Sequence, residues 1–294
     1  MRWEGNRESE NVEDHRGDGG GGGGGFGFGG RSIGIGTIVL ALIGGWVFGI
    51  NPLTILGLLS GGGPVQVSEQ QQPRQPRAEA TDREYKLMKV VLADTEDVWG
   101  DLFRRNGGNY QVPKLKVFSG AIQTACGTGR SATGPFYCPG DQDIYIDLDF
   151  FKLMERRFHA PGEFAQAYVV AHEVGHHVQN LMGLSDKVHN AQRNASERQA
   201  NALSVRLELQ ADCFAGVWAY HANRARSIIE KGDVEAALAA ATAIGDDALQ
   251  RQAGGQVVPD SFTHGSSAQR VRWFNRGIES GEIAQCNTFE ARQL

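Results

Sequence analysis

Cysteine is scarce in this chain of 294 residues. There are four, and no two of them form a CxxC pair, which argues against a thiolate zinc site. An excess of positive charge is also missing. Lysine and arginine total 29 against 34 aspartates and glutamates, a formal net charge of −5. A broad nucleic-acid footprint is therefore excluded, and no nucleic-acid partner is expected. No internal repeat is visible. Charge is absent altogether from residues 32–60, SIGIGTIVLALIGGWVFGINPLTILGLLS.

That run is long enough to cross a membrane, which takes about 20 apolar residues. It predicts one transmembrane helix over 32–60, ended or bent at Asn51-Pro52, because proline lacks a backbone donor and restricts the residue before it. A cleaved signal peptide and a buried core helix are the alternatives; the first would sit nearer the N-terminus with a shorter apolar core. Residues 1–31 end in GDGGGGGGGFGFGGR. They offer too little apolar surface to offset their ordering entropy, so a disordered Gly-rich tail is expected. Residues 61–80, GGGPVQVSEQQQPRQPRAEA, read as a flexible linker. Residues 81–294 remain for one globular domain. Arg2, Arg7, Arg16 and Arg31 precede the apolar run, and Arg74 and Arg77 are the first cations after it. The positive-inside rule then predicts a single-pass protein of the cytoplasmic membrane, N-terminus inside and domain outside.

All four cysteines, Cys126, Cys138, Cys213 and Cys286, fall in the proposed outside domain. Their even number suits an oxidising compartment. Cys126 and Cys138 flank a Gly-rich segment and are expected to pair, leaving Cys213 with Cys286; reduced thiols in a cytosolic domain are the alternative. Cys213 lies in an apolar run without a basic neighbour and is not read as a nucleophile.

Within the domain, Leu87, Val90, Val91, Val98 and Leu102 have helical spacing. KLKVFSGAIQTACG and the alternating DIYIDLDFF read as strands, and FFKLMERRF as the helix that follows. Pro161-Gly162 and Gly183 bracket a helix with an apolar stripe of Phe164, Tyr168, Ala171, Val174, Val178 and Leu181. Long helices are predicted over SERQANALSVRLELQADCFAGVWAYHANRA and DVEAALAAATAIGDDALQRQ. A last helix starts at Ser266 or Ser267. The fold class is α+β: mostly helical, with a small sheet.

The bracketed helix carries His172-Glu173-x-x-His176. Residues four apart share a helix face, so both imidazoles can bind one ion, with Glu173 beside them to take a proton from an activated water. A catalytic zinc uses three protein ligands. Glu208 is the candidate third ligand. Asp212, one turn later, is the candidate acceptor for a ligand histidine's free N–H. Two acids in an otherwise apolar helix are costly unless paired, which favours a functional reading. One zinc per chain is expected, although a His, His, Glu set suits other divalent ions. His177 points about 100° away from the pair and is read as a surface or core residue, His189 and His221 as surface residues.

AHEVGHHVQ, RLELQADCFAG, ACGTGRSATGPFYCPGDQDIYID and FTHGSSAQRVRWFNRG together resemble the bacterial neutral zinc metallopeptidase family, over the whole domain and the upstream anchor. The resemblance implies a zincin-type peptidase acting on a peptide or protein substrate. A weaker similarity to the HtpX and CAAX-protease zincins implies Glu208 as ligand and Asp212 behind it. Those zincins carry a late His-Pro and Arg motif. Here Gly265 replaces the proline, and His264 and Arg270 hold the matching positions. His264 is the first candidate donor to the developing oxyanion, ahead of Tyr137 and Tyr145; a structural or capping histidine is the alternative. For Arg270 the alternative is an ion pair with Asp212 or Glu208. DIYID or GPFYC offers an edge for an extended peptide. The expected function is a membrane-anchored zinc metallopeptidase with Glu173 as general base. A catalytically idle zinc domain that binds peptides or partners, and a non-peptide hydrolase, are the competing readings.

Overall fold

The computed structural model describes residues 1–17, 79–131, 134–158, 162–252 and 256–294. The transmembrane helix expected over 32–60 lies outside these residues. Among the described residues, no helix is long and apolar enough to cross a membrane. The described chain is mostly helical with two small sheets.

Strands β1 (Val12–Asp14), β2 (Leu115–Phe118), β5 (Phe136–Cys138) and β6 (Asp143–Asp147) form one sheet in the order β1-β2-β6-β5. The β1–β2 and β2–β6 pairs are parallel, with Val12 opposite Leu115 and Leu115 opposite Ile144. Edge strand β5 is antiparallel, Tyr137 facing Ile144. All five residues of β6 are buried, so the alternation in DIYID does not mark a half-exposed strand. Parallel strands covered on both faces bury both sets of side chains.

The expected strand KLKVFSGAIQTACG breaks in two at Gly120, whose φ is +80°. Its second half, β3 (Ala121–Thr124), forms a hairpin with β4 (Gly127–Arg130). Ile122 of the hairpin packs with Phe118, Phe136 and Tyr145. Cys126 at the hairpin turn is bonded to Cys138 at the end of β5, and Cys213 to Cys286. Both disulfides are those expected from the sequence.

Helix α1 (Glu79–Arg105) buries Leu87, Val90, Val91, Val98 and Leu102, as their spacing predicts. Helix α2 (Asp149–Phe158) follows β6. Helix α3 (Glu163–Leu181) starts after Gly162 and stops before Gly183, and packs on β5 and β6. After α4 (Leu184–Gln192) comes α5 (Glu197–Arg226), capped by reciprocal bonds between Ser196 and Gln199. The alanine-rich stretch expected as one helix is two, α6 (Asp233–Ala243) and α7 (Asp246–Gln252). The break is at Gly245, where a Cβ would lie 2.5 Å from the Ser267 nitrogen. The start of α8 (Ser267–Ser280), capped by Ser266, occupies that space.

Residues 1–17 are not a disordered tail. Trp3 and Ser9 are buried. The Met1 amino group meets Glu230 at 3.0 Å and Asp233 at 3.1 Å. Arg7 donates to the Ala93 carbonyl at 2.7 Å and reaches Glu96 and Asp97 at 2.9 and 2.8 Å. The polar composition that suggested disorder is spent on specific partners.

Candidate metal centre

Of the apolar stripe expected on α3, Phe164, Tyr168, Ala171, Val174 and Val178 are fully buried, while Leu181 at the helix end is only partly so. His172 and His176 lie on the neighbouring face. Between them, Gly175 lets α5 approach, since a Cβ there would stand 3.0 Å from the Ala211 oxygen. Glu208 and Asp212 flank Ala211 and so reach α3 from either side of the contact.

The three expected ligands converge. His172 Nε2 is 3.2 Å from His176 Nε2 and 3.2 Å from Glu208 Oε2, and His176 Nε2 is 3.4 Å from Glu208 Oε1. Ligand atoms of all three lie within 4.8 Å of one another. Donors bound to zinc at about 2.0–2.1 Å in a tetrahedral array stand roughly 3.4 Å apart. Two imidazole Nε2 atoms facing each other beside a carboxylate form a donor set that one divalent cation can share. The donor set therefore fits zinc.

The outer partners fix each ring. The His172 Nδ1–H donates to Asp212 Oδ1 at 2.9 Å, leaving Nε2 for the ion. The Tyr168 hydroxyl donates to the same oxygen at 2.6 Å. Arg270 grips Asp212 with two bonds, Nε to Oδ2 and Nη2 to Oδ1, both 2.9 Å. Arg270 thus pairs with Asp212, both of them buried. Burial disfavours the charged form of His172, but Asp212 and Glu208 outweigh it and raise its pKa to about 10. Burial also opposes ionised Glu208, yet His176 and His172 hold it well below the usual carboxylate range. Any metal that binds must displace protons here.

His176 has a support that the sequence did not reveal. Its Nδ1–H donates to Gln179 Oε1 at 3.0 Å. The Gln179 amide donates to the Leu207 carbonyl at 2.7 Å and to Gln210 Oε1 at 3.1 Å, and Gln210 donates to the Cys286 carbonyl at 3.0 Å. The spacing of three from His176 was the available signal.

Glu173 is buried, with 7% of its surface exposed. It has no hydrogen-bond partner among the described residues, and its oxygens are not among the fully buried unpartnered atoms, so the carboxylate reaches the open side of the ligand cluster with both oxygens uncommitted.

The chain matches, over residues 1–289, the family model described as "Putative neutral zinc metallopeptidase". It belongs to this family. It is 50% identical over 289 residues to YpfJ of Escherichia coli (strain K12), covering 98% of this chain and 99% of YpfJ. It is 45% identical over 195 residues to Rv2575 of Mycobacterium tuberculosis (strain H37Rv), covering 63% and 65% of the two chains. Both relatives are uncharacterized. No solved structure matches the chain. The family implies zinc and a peptide or protein substrate, and its match begins at residue 1, so it takes in the N-terminal arm.

The remaining expected residues of this metallopeptidase family member divide. His177 is buried and lies off the metal cluster. Its Nε2–H donates to the Gln111 carbonyl at 2.6 Å and its Nδ1 accepts from the Tyr137 hydroxyl at 3.1 Å. Burial lowers its pKa, which keeps it neutral. The Tyr137 proton is thereby committed, and the Tyr145 hydroxyl donates to Asp141 at 2.7 Å, which removes both from the list of oxyanion donors. His189 is exposed as expected. His221 is not a free surface residue: it bonds the Gly281 carbonyl at 2.8 Å and ties α5 to the end of α8. His264 is half exposed on the loop before α8. Gly265 beside it has φ +89°, and a Cβ would crowd Leu209 and Val205 of α5 at 3.2 and 3.3 Å. Neither proline nor any residue with a side chain suits that place.

Proposed function

We propose that the protein is a zinc-dependent metallopeptidase that uses Glu173 as general base. The observation that carries this reading is the convergence of His172, His176 and Glu208, with the unpartnered Glu173 carboxylate beside His172 in the chain. His172, His176 and Glu208 would hold a zinc ion, which when bound would supply Lewis acidity toward a carbonyl and toward water. Glu173 takes a proton from the attacking water and delivers it to the leaving amine. His264 donates to the developing oxyanion. Tyr137 and its neighbours on edge strand β5, beside α3, offer an extended substrate a strand to pair with. Glu173→Gln should lower cleavage of a peptide library by about 10²–10⁴-fold, with one zinc per chain retained by mass spectrometry. Full activity in that variant would sink the mechanism. Peptide capture without cleavage by the zinc-loaded wild type would instead favour the idle binding domain.

The apolar run 32–60, outside the described residues, supports attachment to a membrane. Two internal disulfides support an extracytoplasmic domain. Because β1 pairs with β2, we propose that the chain leaves and rejoins the domain on one face of the membrane. Single cysteines at Glu10 and Val258, both exposed, should react alike with a membrane-impermeant maleimide in intact cells. Labelling of one site alone would restore the single-pass arrangement.

A further inference from the structure

Asp246 opens helix α7, in a stretch whose sequence suggests only an alanine-rich helix. Its carboxylate organises the loop that carries His264. Oδ2 accepts backbone N–H bonds from Thr263 at 2.8 Å, His264 at 2.6 Å and Gly265 at 2.9 Å. Its own N–H returns a bond to the Gly265 carbonyl at 2.9 Å. Oδ1 faces His264 Nδ1 at 3.2 Å; the Thr263 hydroxyl stands 3.0 Å from the same nitrogen, and only the carboxylate of the two must accept its proton. Next in the chain, Asp247 Oδ1 accepts from the Ser267 N–H at 2.7 Å and hydroxyl at 2.8 Å. Two consecutive acids thus clamp residues 263–267 to α7. On its other side the loop rests on α5, with Gly265 against Leu209, the neighbour of Glu208.

We propose that Asp246 is a positioning residue for catalysis: it holds the imidazole of His264 by Nδ1, so that Nε2 is the nitrogen left for substrate. This rests on the peptidase reading. A bare histidine on a half-exposed loop would sample both tautomers and several rotamers. Fixing one nitrogen on a carboxylate selects the tautomer and the ring direction, as it does for ligand histidines. The charged groups around His264 are Asp246 on α7, Glu208 on α5 and Arg270 on α8. The bond to Asp246 leads in raising the His264 pKa, against burial, which favours an imidazolium donor where negative charge develops.

The test uses the full-length, zinc-loaded chain and three variants: Asp246→Asn, His264→Ala and the double. His264→Ala should lower kcat by about 10²–10³-fold. Asp246→Asn should lower it by about 10- to 100-fold, with KM and zinc content unchanged and the alkaline limb of the pH profile moved down. The double should be no worse than His264→Ala. An unchanged kcat in Asp246→Asn, or losses that multiply in the double, would overturn the proposal. Histidine nitrogen NMR on the same samples reads the positioning without turnover. Neutral His264 should carry its proton on Nδ1 in the wild type and lose that preference in Asp246→Asn. A wild-type proton on Nε2 overturns the proposal even if peptides are cleaved. Nδ1 protonation in a chain that binds no zinc or cleaves nothing would leave the positioning intact and fell the peptidase reading instead.

Discussion

Arg270→Met is expected to lower stability by about 3–5 kcal/mol, the usual consequence of removing one partner from a buried pair. Asp212 is wholly buried and Arg270 is 2% exposed, so neither is screened by solvent. Without the guanidinium, Asp212 keeps Tyr168 and His172 but loses the one cation that, among the described residues, grips both oxygens. In a domain of this size 1 kcal/mol shifts Tm by roughly 2–4 °C, so a fall of about 6–20 °C is expected in a thermal melt. The pH dependence has a definite sign. Burial raises the Asp212 pKa, but Arg270 and then His172 outweigh it and hold the carboxyl below its ordinary value. A depressed carboxyl stabilises the fold above its unfolded pKa of about 3.9. That stability is lost as pH falls through the lower folded value. The gap between wild type and Arg270→Met should be full at neutral pH and shrink below about pH 4. A variant within a degree or two of wild type at pH 7 would mean that Asp212 is met by water rather than dry.

What the sequence revealed of this site follows from periodicity. Four-residue spacing on an apolar helix brings His172 and His176 to one face whatever the tertiary fold. Glu208 and Asp212 repeat that spacing on a second apolar helix, where burial without partners would be costly. Arg270 was legible as a possible partner for either acid, and the fold selects Asp212. The neutral amides Gln179 and Gln210 were not legible. They cost little on an exposed helix face, so the spacing of Gln179 from His176 alone does not separate a ligand's support from ordinary surface. Asp246 was hidden for another reason: its role depends on a helix break forced by Ser267 packing on Gly245, a tertiary contact. The N-terminal arm failed most instructively. Trp3 and Val12 are its main apolar anchors; β1 pairs with β2, and Met1, Arg7 and Ser9 reach acids and carbonyls of distant elements. Composition beside a glycine tract carries no trace of such partners.

Glu208→Ala should remove zinc altogether under conditions where the wild type holds one per chain. Loss of an outer partner such as Gln179 typically weakens metal binding by 10- to 100-fold. Loss of Glu208 removes one of three donors together with the negative charge that faces both imidazoles, so its effect should be well beyond that range. Thermal melts give a second readout. At free zinc of 1,000 times Kd, binding stabilises the fold by about 4 kcal/mol, or roughly 8–16 °C in Tm. That shift should vanish in Glu208→Ala, persist in Glu173→Gln and need more zinc in Gln179→Ala. The ordering matters more than any single value. It separates a residue that holds the ion from one that works beside it and from one that only steers a ligand. If Glu173→Gln lost zinc as completely as Glu208→Ala, Glu173 would be a ligand, the site would have no base, and the hydrolytic reading would fall. If Glu208→Ala kept its zinc, the third donor would have to come from elsewhere.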